Sequence, residues 1–457
     1  MSNHERIVLV LISIVYVCLG HYINFPTMQT LKMMGWLGLL QFIYSVFVWI
    51  KKGNQFLSPY IIFLLALYVF SFGQSFLWAM GIDSERSLIG FQRITIHEVF
   101  DAQVLTLIML AFFQIGASFF IPNKKINYSQ ISADRSIKLK QVGWTLFTIS
   151  ILPYAVETYQ NMVVSMTSGY AALYEGTAKI GVSNWASILA DYCIPSLICL
   201  FIAYRHNRLI RRCITLFFIL NIIVILITGG RTYAVILLAL LVVLYNYLVK
   251  KFTKKWLLIG CIGGFAFLQI LSHVAEVRVD SSRDVSMSSI ELEKNGAIEA
   301  IAEMGSSMFC LIKTTNLVPQ VTDFRYGKSY FYAFTSLVPN LGFWEIHPAK
   351  KEANLSHWLT NALGLDYGTG FSMCAEAYAN FGNFCFIVFF FWGWFIASIF
   401  GKIEICMIKK DYALLAFLLV LFWFFLTLPR NNFINLVRPF FFIAGPIYLY
   451  CAKLKYK

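Results

Sequence analysis

The sequence predicts an all-α protein, a polytopic bundle of about twelve transmembrane helices carrying one large loop subdomain. Three observations lead there. Of 457 residues, 59% are hydrophobic and only 13% charged, a balance foreign to soluble domains. The apolar residues come in blocks of about 17–25, long enough to cross a hydrocarbon core ~30 Å thick. The blocks are continuous and lack the apolar–polar alternation of a β-barrel strand.

Taken in order, spans are expected near 7–24, 31–50, 60–80, 98–121, 141–157, 184–204, 213–228, 232–249, 256–275, 371–401, 411–428 and 434–452. The first follows "MSNHER" with no small-residue cleavage site, so it reads as a retained helix and not a signal peptide. An even number of spans puts both termini on one side. If that side is the cytoplasm, the inside segments include "NKKINYSQISADRSIKLK", "RHNRLIRR", "KKFTKK" and "KLKYK", and together hold 22 of the 37 lysines and arginines. Basic cytoplasmic loops are the usual pattern, and they explain the net charge of +14 without nucleic acid. The chain therefore divides into spans 1–9 (1–275), an extracytoplasmic loop (276–369) and spans 10–12 (370–457). Within the loop, Ile298, Ile301, Met304, Gly305, Met308 and Ile312 share one helical face and Glu299 and Glu303 the other. That pattern predicts a helix lying along the membrane surface or capping a cavity. Most of the ten cysteines fall inside spans and no C-x-x-C pair occurs, so neither a disulfide framework nor a thiolate metal site is expected.

The turn "TGGRTY" joins two apolar runs with almost no loop and places Arg231 at the turn. The run Cys213–Thr228 gives roughly 24 Å of helix, short for a ~30 Å core. This predicts a recessed outer turn, with Arg231 facing a wet cavity. Arg278, Arg283, Arg325, Arg430 and Arg438 are expected on the same side. A guanidinium is planar, always charged and forked, so several together suit an anion such as pyrophosphate and could neutralise it as a metal ion would. His97 and Asp101 stand at i, i+4 but lack a third ligand nearby, and the first outer loop, "NFPTMQT", has no carboxylate. No metal and no other cofactor is expected. The proton-transfer candidates are His357, Glu376, His347 and Glu276, with His273 and Asp280 beside them. Tyr326, Tyr330, Trp344 and Trp358 make the loop aromatic, suited to stacking on sugar faces or packing on a bilayer.

Four stretches carry a family resemblance: "TGGRTY", "GYAALYEG", "FRYGKSYF" and "GTGFSMCAEAYANFG", the last with Gly370, Ser372, Glu376, Tyr378, Asn380, Phe381 and Gly382. With the whole architecture, they resemble the Wzy-type polymerases of O-antigen and oligosaccharide repeat units. The resemblance implies a GT-C-like membrane glycosyltransferase of the bacterial cytoplasmic membrane. It would extend O-antigen or a capsule-like polysaccharide from repeat units carried on undecaprenyl pyrophosphate, with a chain-length regulator as partner. Two rivals share the scaffold. A lipid-linked oligosaccharide flippase would show two related halves, and none is visible. An O-antigen ligase performs the same transfer to a different acceptor.

Overall fold

In a computed structural model, the described residues are 3–84, 86–119, 136–168, 184–228, 230–253, 255, 260, 263–264, 296–365 and 367–452. Among them there is no strand, and nine helices are long and apolar enough to cross a membrane. The protein is a polytopic helical membrane bundle. The expected span 256–275 falls almost wholly outside the described residues, as does "GYAALYEG".

The first four helices are α1 (Asn3–Tyr22), α2 (Met28–Lys51), α3 (Pro59–Ala79) and α4 (Ile96–Phe119). Then come α5 (Ser136–Ser168), α6 (Asn184–Ala190), α7 (Cys193–Ala203), α8 (Arg208–Ile227) and α9 (Arg231–Leu248). The starts of α2 and α3 are set by side-chain caps, Thr27 and Ser58, the latter with Pro59 following. Helix α8 begins at Arg208, not at Cys213. Its 20 residues make about 30 Å, so the depth of the Gly230–Arg231 turn does not follow from helix length.

Helix α4 is the buried axis of the bundle, against α1, α2 and α15 (Cys385–Phe400). Its crossing with α15 is made by two glycines. A Cβ on Gly116 would lie 1.8 Å from the Phe390 carbonyl, and one on Gly393 would lie 1.8 Å from the Phe113 carbonyl. Helices in lipid gain little from apolar burial, so close backbone approach and interhelical hydrogen bonds must hold them. The polar bonds are present too: Tyr60 donates to Gln114 Oε1 at 2.7 Å, and Gln103 Nε2 to Ser75 Oγ at 2.8 Å.

The loop helix departs from its sequence pattern. It breaks at Ser306–Ser307 into α10 (Gly296–Gly305) and α11 (Met308–Leu317). In α10 the small residues Ala297, Ala300, Ala302 and Gly305 are buried and Ile298 and Ile301 only partly so, and α3 is met through Gly305 and the Ile301 carbonyl, which lie against Gly73. A Cβ on Gly305 would meet Gln74 N at 2.5 Å. Gln74 Nε2 donates to Ala302 O at 3.0 Å, while Glu303 pairs with Arg86 at 2.7 Å. So α10 docks on the end of α3.

Candidate functional site

Arg325, Tyr326, Tyr330, His357, Trp358, Glu376 and Arg430 lie in three short segments that meet beside the α9 turn. The first runs from Phe324 into α12 (Lys328–Ala333). The second is α13 (Leu355–Ala362), followed by α14 (Met373–Phe381), which turns through Gly382–Phe384 into α15. The third is 428–433, between α17 (Tyr412–Phe425) and α18 (Ile434–Arg438).

Two of the motifs singled out in the sequence interlock. Arg325 N donates to Ala379 O at 2.9 Å, and Tyr326 N to Asn380 O at 3.0 Å. These bonds hold Tyr326 in a left-handed conformation (φ 48°) just before Gly327 (φ 83°). Each motif then sets a phenylalanine on the other's glycine. A Cβ on Gly327 would lie 3.3 Å from the Phe381 ring, and one on Gly382 would lie 2.7 Å from the Phe324 ring. Gly382 also has φ 53°, ψ −131°, a conformation suited to glycine. Gly382→Ala is therefore expected to cost about 1–3 kcal/mol in backbone strain, before the clash with Phe324. A lower melting temperature of the detergent-solubilised protein would report it; an unchanged one would refute the interlock.

Beneath this joint sits Glu376, 2% exposed. One carboxylate oxygen accepts from Ser329 Oγ and the other from Phe433 N–H, both at 2.7 Å. Asn380 Nδ2 donates to Ser329 Oγ and to the Glu376 carbonyl, each at 2.8 Å. Glu376 thus ties the three segments together. Arg325 lies above, its guanidinium 3.6 Å from Glu352 Oε2 and 5.1 Å from the centre of the Trp358 ring. Burial draws its pKa below the ordinary guanidinium value, and the charges of Glu352 and Glu376 oppose that.

The remaining candidates divide by what they touch. Arg430 donates to Thr232 Oγ1 at 3.0 Å, in the first turn of α9, whose Gly230 cap brings no side chain to the helix amides. No acid pairs with Arg430 among the described residues. Burial pushes the Cys310 thiol of α11 up to about 12, and the positive charge of Arg430 acts against this. Arg438 is exposed and gives its Nε to Ser336 O at 3.0 Å. His347 has both ring nitrogens engaged, Nδ1 by Ala349 N–H at 3.1 Å and Nε2 by Val338 O at 2.9 Å. His357 is exposed, with Nδ1 on the Asn361 amide at 3.1 Å. Tyr326 is 74% exposed, whereas Tyr330 is wedged between Phe381 and Phe433. Trp344 packs against His347. Arg231 starts α9, and Glu276, Arg278 and Arg283 lie outside the described residues. The pair His97–Asp101 (3.0 Å) is exposed; no group of three metal-ligating side chains occurs among the described residues.

Sequence reading missed Asn432. With its amide oxygen turned toward α13, it accepts from Leu355 N–H at 3.3 Å and Ser356 N–H at 3.2 Å. It is 2% exposed and sits between Arg430 and Phe433. The segment "LPRNNF" therefore touches α9, α13 and α14 within four residues.

The family model for the O-antigen polysaccharide polymerase Wzy matches residues 5–455, nearly the whole chain. The chain belongs to the Wzy O-antigen polysaccharide polymerase family. No curated protein and no solved structure matches it. Membership makes this protein a membrane polymerase of polysaccharide biosynthesis. The interlocked motifs, "FRYGKSYF" and "GTGFSMCAEAYANFG", belong to the core of this Wzy-family chain, where the loop meets the bundle.

Proposed function

We propose that this Wzy-family protein polymerises repeat units carried on undecaprenyl pyrophosphate, at the outer face of the bacterial cytoplasmic membrane, with both termini cytoplasmic. The observation carrying this reading is Arg430: a guanidinium with no acid partner among the described residues, held at the amino end of a helix. A helix N-terminus and an adjacent cation together favour a phosphate group. Arg231, in the same first turn, would add a second cation, with Arg325 near the interlocked motifs. Arg278, Arg283 and Arg438 are held as weaker members of the clamp.

In the reaction, an acceptor hydroxyl oxygen attacks the donor's anomeric carbon. The bond from that carbon to the pyrophosphate oxygen breaks, and the lipid pyrophosphate leaves with the electron pair. The hydroxyl proton passes to a base. His357 suits that role best, being exposed beside Trp358. Tyr326 and Trp358 are the rings best placed to stack on sugar. Glu376 positions Arg325 and Arg430 through the segments it joins.

If guanidinium groups stabilise the leaving charge, no divalent cation is required. Purified protein given lipid-linked repeat units is expected to form polymer in excess EDTA at the rate seen with Mg²⁺. A rate lost in EDTA and restored by Mg²⁺ or Mn²⁺ would refute the clamp and return attention to His97, Glu98 and Asp101. The same assay separates the rivals, because a flippase forms no glycosidic bond and a ligase needs another acceptor.

A further inference from the structure

Residues 331–346 form an apolar outcrop on the loop. Phe331 is 70% exposed, Leu341 73% and Phe343 71%, and Phe334, Val338 and Ile346 are also exposed. The stretch has one charged residue, Glu345, and is flanked by Lys328, Lys350 and Lys351. So much apolar surface in one place is unusual on a face bathed by water and marks a contact surface.

Its position relative to the bundle narrows what that contact is. The segment packs on α18 through a small core of Ala333, Ala353 and Val437. Phe334 lies 6.3 Å, edge to face, from Phe441. Phe441 is seven residues into the last membrane-spanning segment (Ile434–Cys451), about 10 Å along it at ~1.5 Å per residue. Phe441 and Phe442 are exposed on that segment's flank, where lipid must cover them. The loop thus meets an exposed ring on the last span's flank, three residues beyond Arg438, and its apolar surface continues the bundle's own.

Several backbone groups of the outcrop are bonded within the protein. Asn340 Oδ1 accepts from Gly342 N–H at 3.2 Å and Trp344 N–H at 3.3 Å, and its Nδ2 donates to Trp344 O at 2.8 Å. His347 Nε2 donates to Val338 O at 2.9 Å, and Arg438 Nε to Ser336 O at 3.0 Å. At an aqueous loop tip, solvent would serve these groups. In hydrocarbon an unpaired peptide group is costly, so irregular backbone there is favoured when the protein supplies partners.

We propose that residues 331–346 dip into the phospholipid leaflet on the loop side, with Leu341 and Phe343 among acyl chains and Lys328, Lys350 and Lys351 at the headgroups. His347 and Trp344 then belong to this membrane wedge, as the polar partner and interfacial ring of its turn.

The full-length protein, otherwise unaltered, would carry the photocrosslinker p-benzoylphenylalanine in place of Leu341 or Phe343. Both side chains are exposed, so the larger ring fits without repacking. Each variant, alone in nanodiscs of phosphatidylethanolamine and phosphatidylglycerol, is irradiated and weighed intact. Phospholipid adducts are expected at 341 and 343 and none at the exposed Asp323. Absence of adducts at both sites, or an equal yield at Asp323, would overturn the wedge and leave a protein or glycan surface.

Discussion

Replacing Arg430 with alanine is expected to cut polymer formation by roughly 10²–10³-fold, the usual loss when one preorganised donor to a developing charge is removed. Protein level is expected to hold. The guanidinium is only half-buried and pairs with no carboxylate among the described residues, so its removal strands no buried opposite charge. Its one hydrogen bond among those residues is to Thr232 Oγ1, a group that water can serve equally well. Arg430→Lys is expected to fall between, because an ammonium keeps the charge and loses the fork that can hold Thr232 and a phosphate oxygen together. Polymer length and yield from lipid-linked repeat units, with protein quantified in parallel, would decide it. Wild-type polymer from the alanine variant would remove Arg430 from the mechanism.

Arg430 also shows how far the sequence could be read. Its type and its place at the end of an apolar run were visible. Its contact with Thr232 was not, because that pairing closes a separation of 198 residues between helices whose packing no local pattern encodes. The membrane bundle was legible because apolar block length is a local property. The α10 helix was only partly legible for the same reason. Periodicity put Gly305 on the packed face, but the contact itself is backbone to backbone, Gly305 and the Ile301 carbonyl against Gly73 of α3, with Ala297, Ala300 and Ala302 buried beside them. In lipid, small residues and not large apolar ones mark a helix interface. Glu376 was visible as an acid in a motif, but a carboxylate that works by holding and one that works by accepting a proton look alike in sequence. Burial and partners separate them. Asn432 gave no signal, since an asparagine after a short turn is ordinary.

Those partners make Glu376 the site of the second large effect. Glu376→Ala would leave Ser329 Oγ and Phe433 N–H without acceptors in a buried place, at about 1–3 kcal/mol each. Against a total stability of about 5–15 kcal/mol, a clearly lowered level of folded protein is expected in the membrane. Glu376→Gln should behave differently. Its amide oxygen still accepts from Phe433 N–H, and its NH₂ faces Ser329 Oγ, which already accepts from Asn380 Nδ2 and has a second lone pair for it, at the cost of the bond the Ser329 hydroxyl donated. The joint between "FRYGKSYF", α14 and "LPRNNF" is retained, weakened by the loss of the bond from the Ser329 hydroxyl and of the attraction to Arg325. Normal protein level and polymer within several-fold of wild type are therefore expected, as befits a positioning residue. A general base would give the opposite pattern: glutamine cannot take a proton, so a well-folded Glu376→Gln protein would lose about 10²–10⁴-fold. Folded protein with that loss would make Glu376, and not His357, the group that receives the acceptor's proton.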